Sequence, residues 1–254
     1  MIQPGSDVLA YTPTYGDRLN LLATVPDLRG SAGYWFDWAV WAGDPSPELR
    51  TVLDKQLEDP AQTGIQYLQC WNENRGQHYA TTEALALART QGYKWLLRLD
   101  DDVLHKTKRW LKKILERTQE LRRLARDNQY RTVVGPRIVG LNTPPKVEGQ
   151  IQVGQSFQAN IVEALGGACR LHPIELLEGY APNLYLPTGR GDPQGIGAHV
   201  DSKDGLLVQY PDIRMIHRTN QLEEEDSPSM QHRRRMSHYW PWLGSEAEPR
   251  EEAE

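Results

Sequence analysis

Three consecutive aspartates, Asp100, Asp101 and Asp102, follow the largely apolar run 93–99. Carboxylates this close repel one another, so a chain that places them at the end of a buried strand usually has a cation to put there. In an extended chain alternate side chains share a face, so we expect Asp100 and Asp102 to point together and Asp101 to point away. The pattern predicts a divalent-metal site with oxygen ligands at a sheet edge, and a solvated acidic turn is the plain alternative.

The composition is that of a polar globular protein. The chain has 254 residues, of which 39% are hydrophobic, with a mean hydropathy of -0.65. No run approaches the roughly 18 apolar residues of a membrane-spanning helix, and the first residues lack a basic region followed by an apolar core. We therefore predict no membrane span, no signal peptide and a cytoplasmic location. The two cysteines, Cys70 and Cys169, have no metal-ligand spacing and are expected to be reduced core residues.

The first hundred residues alternate between strand and helix patterns. Ser46 is a suitable helix N-cap with Pro47 at the first helical position, and Gly92 is a suitable helix end. Short connections between strands and helices indicate parallel pairing through right-handed crossovers. We expect strands at 8–11, 34–42, 65–70 and 93–99, with the first broken at 12–16, and helices at 17–28, after Ser46, and at 77–91.

The remainder of the chain is less regular. We expect a long amphipathic helix at 106–128, a strand at 131–136, a loop or hairpin at 140–158 and short segments at 159–216. These patterns indicate an α/β fold: a Rossmann-like, mostly parallel central sheet flanked by helices, with a smaller acceptor-side subregion. We assign one domain to 1–219, with a nucleotide-binding half at 7–105 and an acceptor-side half at 130–219. The charged and aromatic segment 220–254 is expected to be partly disordered or docked on the domain.

The order of these features resembles the GT-A-fold glycosyltransferases, in particular their large inverting, nucleotide-sugar-dependent, "family 2-like" group. The features, which span residues 7–219, are Thr12-Pro13-Thr14-Tyr15, Asp44, Asn74-Arg75-Gly76, the Asp-x-Asp motif of 100–102, Gly166-Gly167, Gly191-Asp192 and Ile216-His217-Arg218.

The resemblance implies a role for each matching residue. Pro13, Thr14 and Tyr15 would border the base and ribose, Asp44 would bind the base, most often uracil, and Arg75 would lie near the nucleotide or its phosphates. Asp100 would contact ribose or metal, Asp101 belongs to the nucleotide-binding stretch, and Asp102 and His217 would complete the metal site. Asp192 would be the catalytic base, although Gly191 stands where the family commonly has a second acid.

The chemistry of sugar transfer fits these residue types. A divalent cation neutralises the charge that develops on a diphosphate leaving group, and an acceptor hydroxyl needs a carboxylate to take its proton. Oxygen ligands with one imidazole suit Mn²⁺ or Mg²⁺. The resemblance implies transfer from a nucleotide sugar, with a UDP-sugar as the expected donor and with inversion of configuration.

Each of these residues also has an ordinary structural interpretation. Asp192 after a glycine could be a turn residue, His217 a structural histidine, Asp44 a helix cap and Arg75 a solvated loop residue. Other function classes are a nucleotidyltransferase, which would normally have a basic, glycine-rich first loop, and a non-catalytic nucleotide-sugar-binding relative. A phosphatase would need its aspartates after the first strand.

The sequence does not identify the acceptor of the sugar. Saccharides, proteins, small molecules and modified nucleic acid are all compatible with the sequence. The net charge of -5 argues against general nucleic-acid affinity. Basic and aromatic residues alternate at 232–242, which suits either contacts with nucleic acid or docking of the segment through its tryptophans. Hydroxymethylated DNA is therefore a minority hypothesis for the acceptor.

Overall fold

The computed structural model describes residues 6–124, 131–140, 145–153, 157–180, 199–200, 203 and 205–217. Every described element belongs to one unit that covers residues 1–218. The predicted C-terminal segment 220–254 and the predicted base Asp192 lie outside the described residues, and the predicted halves of the domain stay a prediction.

The described elements alternate strand and helix up to α5 and are mainly strands after it. No described helix is long and apolar enough to cross a membrane. In chain order the elements are β1 (Val8–Tyr15), α1 (Leu21–Ser31), β2 (Asp37–Gly43), α2 (Pro47–Glu58), the single turn α3 (Pro60–Thr63), β3 (Ile65–Trp71), α4 (Gly76–Gln91), β4 (Trp95–Leu99), β5 (Val103–His105), α5 (Trp110–Leu124), β6 (Arg131–Val139), β7 (Val147–Val153), β8 (Phe157–Val162), β9 (Cys169–Pro173), a 3-10 helix (Ile174–Leu177) and β10 (Gly205–His217).

The ten strands form one sheet in the order β3-β2-β1-β4-β9-β6-β10-β8-β7, with β5 paired to β10. Strands β1 to β4 are mutually parallel, β9 is antiparallel to β4 and β6, and β10 is parallel to β6. Among these ten strands, seven therefore run one way and three (β5, β8 and β9) run the other way. The prediction of an α/β fold with a mostly parallel sheet is confirmed.

Both faces of the sheet are buried, which explains why its central strands are almost wholly apolar. On one face, β1, β2 and β4 pack against the apolar sides of α1, α2 and α5. On the other face they pack against α4 and the 3-10 helix. Successive apolar residues of β4 alternate between these two cores as far as Leu99, where the strand ends and the acidic turn begins.

Several element boundaries differ from the prediction: β2 and β4 begin at Asp37 and Trp95 instead of at 34 and 93, and α1 ends at Ser31 instead of at 28. Three other differences have a clear physical reason. The first strand continues through Pro13 to Tyr15 instead of breaking at residue 12; β4 pairs with β1 only as far as Tyr11, so a proline beyond that point costs no hydrogen bond to β4. The first helix begins at Leu21 because a turn occupies the residues after Tyr15. The fifth helix begins at Trp110 because the preceding Arg109 has a φ of 58°.

Several predicted details are confirmed. Ser46 caps α2 by accepting a hydrogen bond from the backbone N–H of Leu49 at 3.1 Å. Gly92 ends α4 with a φ of 76°, the left-handed conformation that favours glycine. The stretch 140–158, predicted as a loop or hairpin, contains β7, and β7 pairs in antiparallel with β8, which begins at Phe157 near the end of that stretch.

The carboxyl ends of β1, β2, β3, β4, β6 and β10 lie at one edge of the sheet, because these strands run in the same direction. His217 ends β10, three strands away from β4 in the sheet order. The short strand β5 crosses this gap, since Val103 pairs with His217 and follows Asp102 directly. The topology thus carries the histidine to the acidic turn.

Substitution of Gly140 tests the close packing of the chain against His217 at this edge of the sheet. Gly140 has a φ of 94°, and a Cβ atom there would lie 2.7 Å from the carbonyl oxygen of His217, whereas a Cβ at Gly92, which also has a positive φ, would meet nothing within 4 Å. Gly140→Ala should therefore lower the free energy of unfolding by clearly more than the roughly 1–2 kcal/mol expected for Gly92→Ala from backbone strain alone. Urea denaturation of both variants measures the difference, and equal losses would contradict the close approach to His217.

Candidate active site

The three carboxylates of the acidic turn after β4 differ in their exposure and in their partners. Asp101 and Asp102 are both buried, each with 2% of its surface exposed, whereas the Asp100 side chain is 22% exposed. The side chains of Asp100 and Asp102 offer oxygen atoms within 4.8 Å of each other and of a ring nitrogen of His217. The structure therefore brings together the three residues expected to bind metal.

Asp101 contacts β1 through its side chain and α1 through its backbone. Its Oδ2 atom accepts a hydrogen bond from the Thr14 hydroxyl at 2.6 Å, and its backbone carbonyl accepts one from the Thr24 hydroxyl at 2.7 Å. These contacts fix the turn on the neighbouring strand and helix. A direct nucleotide contact by Asp101 stays a prediction, and its burial favours a supporting role.

Arg18, in the turn between β1 and α1, joins the two buried carboxylates. Its Nη2 atom lies 3.1 Å from Oδ1 of Asp101 and 2.8 Å from Oδ2 of Asp102. The guanidinium also lies over the ring of Tyr15, 5.3 Å from its centroid. One cation thus offsets part of the charge of two acids that have little contact with water.

Burial raises the pKa of Asp101 to about 7. Removal from water is the largest cause, and the charges of Asp102 and Asp100 act in the same direction. The charge of Arg18 and the hydrogen bond from Thr14 oppose this rise in the pKa.

Asp100 forms an ion pair with a second arginine, Arg98. Nε of Arg98, the fourth residue of β4, donates to Oδ1 of Asp100 at 3.0 Å, and its Nη2 atom donates to Oε1 of Gln77 in the first turn of α4. Only 4% of Arg98 is exposed. This hydrogen-bonded chain ties Asp100 to the α4 side of the sheet.

The side chains of Asp100, Asp102 and His217 fit a divalent cation. Nε2 of His217 lies 3.2 Å from Oδ1 of Asp102, while Arg18 contacts the other oxygen, Oδ2. Two carboxylates and one imidazole, with ligand atoms this close together, form a donor set suited to Mn²⁺ or Mg²⁺. Among the described residues, no other group of three acidic, cysteine or histidine side chains comes together in this way.

The predicted nucleotide-binding residues line the same edge of the sheet. Pro13, Thr14 and Tyr15 form the end of β1, and Thr14 is buried against Asp101. Asp44 follows β2 with an exposed side chain, a φ of 47° and a backbone N–H bonded to the Trp71 carbonyl. It does not cap α2, because Ser46 does.

Arg75 lies further along this edge, at the start of α4. It pairs with Glu73 at 3.1 Å, and its guanidinium lies between 5 and 6 Å from the ring centroids of Trp71 and Tyr79. These contacts hold Arg75 beside an aromatic pair, away from the acidic turn. Its predicted contact with a nucleotide stays a prediction.

Sequence reasoning missed three residues of this site: Arg18, Gln77 and Arg98. Arg98 carried a recognisable signal, since it is the one charged residue within the apolar run 95–99, and a charge in a buried strand needs a partner. Arg18 and Gln77 lie in polar stretches where nothing in the sequence distinguishes them from solvated residues.

Comparison with solved structures identifies the fold. GalNAc-T7 with UDP, GalNAc and Mn²⁺ aligns with 83% of this chain and 43% of its own, at 12% identity and a TM-score of 0.60. TarS of S. aureus aligns with 83% of this chain and 36% of its own, at 14% identity and a TM-score of 0.57. A mannosyltransferase, PcManGT from Pyrobaculum calidifontis, in complex with GDP-Man and Mn²⁺, aligns with 96% of this chain and 65% of its own, at 13% identity and a TM-score of 0.60.

These similarities concern the fold. The chain spans between 36% and 65% of the length of these three proteins. No protein-family model matches the sequence, and no curated protein sequence matches it. All three neighbours are GT-A glycosyltransferases. The sheet order and these neighbours together show that the chain has the GT-A fold, as the resemblance in its sequence predicted.

Proposed function

We propose that this protein is a metal-dependent glycosyltransferase that moves a sugar from a nucleotide sugar to an acceptor hydroxyl. The observation that carries the proposal is the convergence of Asp100, Asp102 and His217 at the edge of the sheet, with ligand atoms within 4.8 Å of one another. The fold adds support, because two structural neighbours were solved with Mn²⁺ together with UDP or GDP-Man.

In this proposal the side chains of Asp100, Asp102 and His217 hold Mn²⁺ or Mg²⁺. When bound, the cation neutralises the negative charge that builds up on the departing diphosphate. Thr14 donates a hydrogen bond to the carboxylate of Asp101, and Arg18 donates one to that of Asp102, so both carboxylates are held in place. The site is thus organised before the donor arrives, which lowers the reorganisation needed during the reaction.

The donor would lie along the ends of β1 and β2. Pro13, Thr14 and Tyr15 border its base and ribose, and Asp44 binds the base from the end of β2. Arg75 contacts the nucleotide or its phosphates from the start of α4. We propose a UDP-sugar, since UDP is bound in the GalNAc-T7 structure and in a structure of residues 1–349 of TarS. The GDP-Man complex makes a GDP-sugar the alternative for the test.

We propose Asp192 as the base that takes the proton of the acceptor hydroxyl while that oxygen attacks the anomeric carbon. The bond between this carbon and the diphosphate oxygen breaks on the opposite side, which inverts the configuration. The proposal for Asp192 rests on its position in the order of the family's features. The acceptor is a soluble saccharide, a protein or a small molecule, with hydroxymethylated DNA as the minority hypothesis.

Asp102→Asn tests the metal site. An amide oxygen carries no charge, so the variant should lose the increase in melting temperature that UDP and Mn²⁺ together give to the wild type. Asp212→Asn is the matched control, because Asp212 pairs with Arg117 and is no part of the acidic turn. The measurement is thermal unfolding with Mn²⁺, UDP or GDP, singly and combined. A full response in Asp102→Asn would contradict the metal site, and a larger response to GDP than to UDP would contradict the uridine donor.

Asp192→Asn tests the base. Transfer should fall by roughly 10²–10⁴-fold, while the stabilisation by UDP and Mn²⁺ stays near that of the wild type, because the base acts on the acceptor. Mass spectrometry of a donor-by-acceptor screen that includes hydroxymethyl-pyrimidine DNA identifies the substrates, and NMR of the product assigns the anomer. Wild-type transfer by Asp192→Asn would show that another group acts as base, and a retained configuration would exclude direct inversion.

A further inference from the structure

Arg98 is an unusual residue for its position. It lies in the middle of the sheet, in a strand whose other four residues are Trp95, Leu96, Leu97 and Leu99, and only 4% of it is exposed. Burying a guanidinium costs free energy even when it is paired, and replacement of such an ion pair by apolar side chains is often neutral or stabilising. Stability alone therefore gives a weak reason for an arginine in this strand.

The contacts of Arg98 connect it to the candidate metal site. Its Nε atom contacts Oδ1 of Asp100 at 3.0 Å, and Gln77 at the start of α4 accepts from another arm of the same guanidinium. This second contact anchors the arginine to a helix, so its charge is held beside Asp100 instead of moving freely. A cation that binds Asp100 must share this carboxylate with Arg98.

The charges of the cluster can be counted. When all three carboxylates of the acidic turn are ionised, they contribute -3, and the guanidinium groups of Arg18 and Arg98, the described arginines that contact them, contribute +2. The described cluster therefore carries a charge of at most -1, and a proton on Asp101 makes it less negative. A divalent ion would change this charge to +1 or more, an unfavourable result in a poorly solvated site unless an anion arrives as well. A nucleotide diphosphate is an anion of the required sign.

We propose that Arg98 is a positioning residue that weakens the affinity of the site for a bare divalent cation by sharing Asp100 with it. This inference rests on the proposed function, because it takes Asp100 as a metal ligand. Its consequence is that the cation is held well only together with the nucleotide diphosphate. The site then exchanges metal and nucleotide as a unit instead of keeping a permanent metal ion.

The test is the affinity of the folded protein for Mn²⁺ without nucleotide, measured from the EPR signal of free Mn²⁺. Arg98→Met removes the charge and keeps most of the volume, so Mn²⁺ should bind about tenfold more tightly than to the wild type, as expected for removal of a nearby like charge in a partly buried site. Arg98→Lys keeps the charge and should bind Mn²⁺ like the wild type. Arg123→Met, which breaks the exposed pair with Glu120, is the control for loss of one positive charge elsewhere.

Circular dichroism and thermal unfolding establish that each variant is folded. Arg98→Gln keeps a hydrogen-bond donor near Asp100, and it replaces Arg98→Met if that variant does not fold; the same tighter binding is expected. Unchanged or weaker Mn²⁺ binding in the folded neutral variant would overturn the role of Arg98, as would an equal increase in affinity in Arg123→Met.

The same titration in the presence of UDP separates this inference from the proposed function. If the wild type binds Mn²⁺ with UDP but neutralising Arg98 does not tighten binding of Mn²⁺ alone, only the role of Arg98 fails. If the wild type binds no Mn²⁺ even with UDP, the metal-dependent function fails and the role of Arg98 falls with it.

Discussion

The mutual repulsion of three neighbouring carboxylates at the end of β4 is the constraint on which the rest of the site depends. Asp101 and Asp102 are almost fully buried, so their charges cannot be screened by water. Three side chains stabilise these carboxylates: Arg18 pairs with both buried acids, Arg98 pairs with Asp100, and the Thr14 hydroxyl donates a hydrogen bond to Asp101. These contacts also join the end of β1 and the turn after it to the acidic turn after β4, more than eighty residues later in the chain.

The position of the site follows from the direction of the strands. Parallel strands place their carboxyl ends at one edge, and this edge gathers the ends of β1, β2, β3 and β4. β10 runs in the same direction but lies three strands from β4. The three-residue strand β5 closes that distance, because it leaves the acidic turn at Val103 and pairs at once with His217. A contact between residues more than a hundred positions apart thus depends on one short antiparallel pair.

The sequence was sufficient to predict the features that local physics determines. Alternation along β4 predicted that Asp100 and Asp102 point together, and their carboxylates do lie within 4.8 Å of each other. Cap residues such as Ser46 and Gly92 marked helix ends. The sequence was insufficient to predict features that depend on which strands pair with one another. The extension of β1 through Pro13 depends on which neighbour β1 has at that point, and β5 is too short to show a pattern. Arg18 could not be found from the sequence because its two partners lie more than eighty residues away.

The central claim is that the acidic turn and His217 hold a divalent cation together with a nucleotide diphosphate. The most direct test is anomalous X-ray scattering from crystals grown with UDP and Mn²⁺. The account predicts one Mn²⁺ peak within coordination distance of Asp100, Asp102 and His217, with the diphosphate against it. A UDP molecule at this edge without such a peak, or a Mn²⁺ peak bound by other side chains, would contradict it.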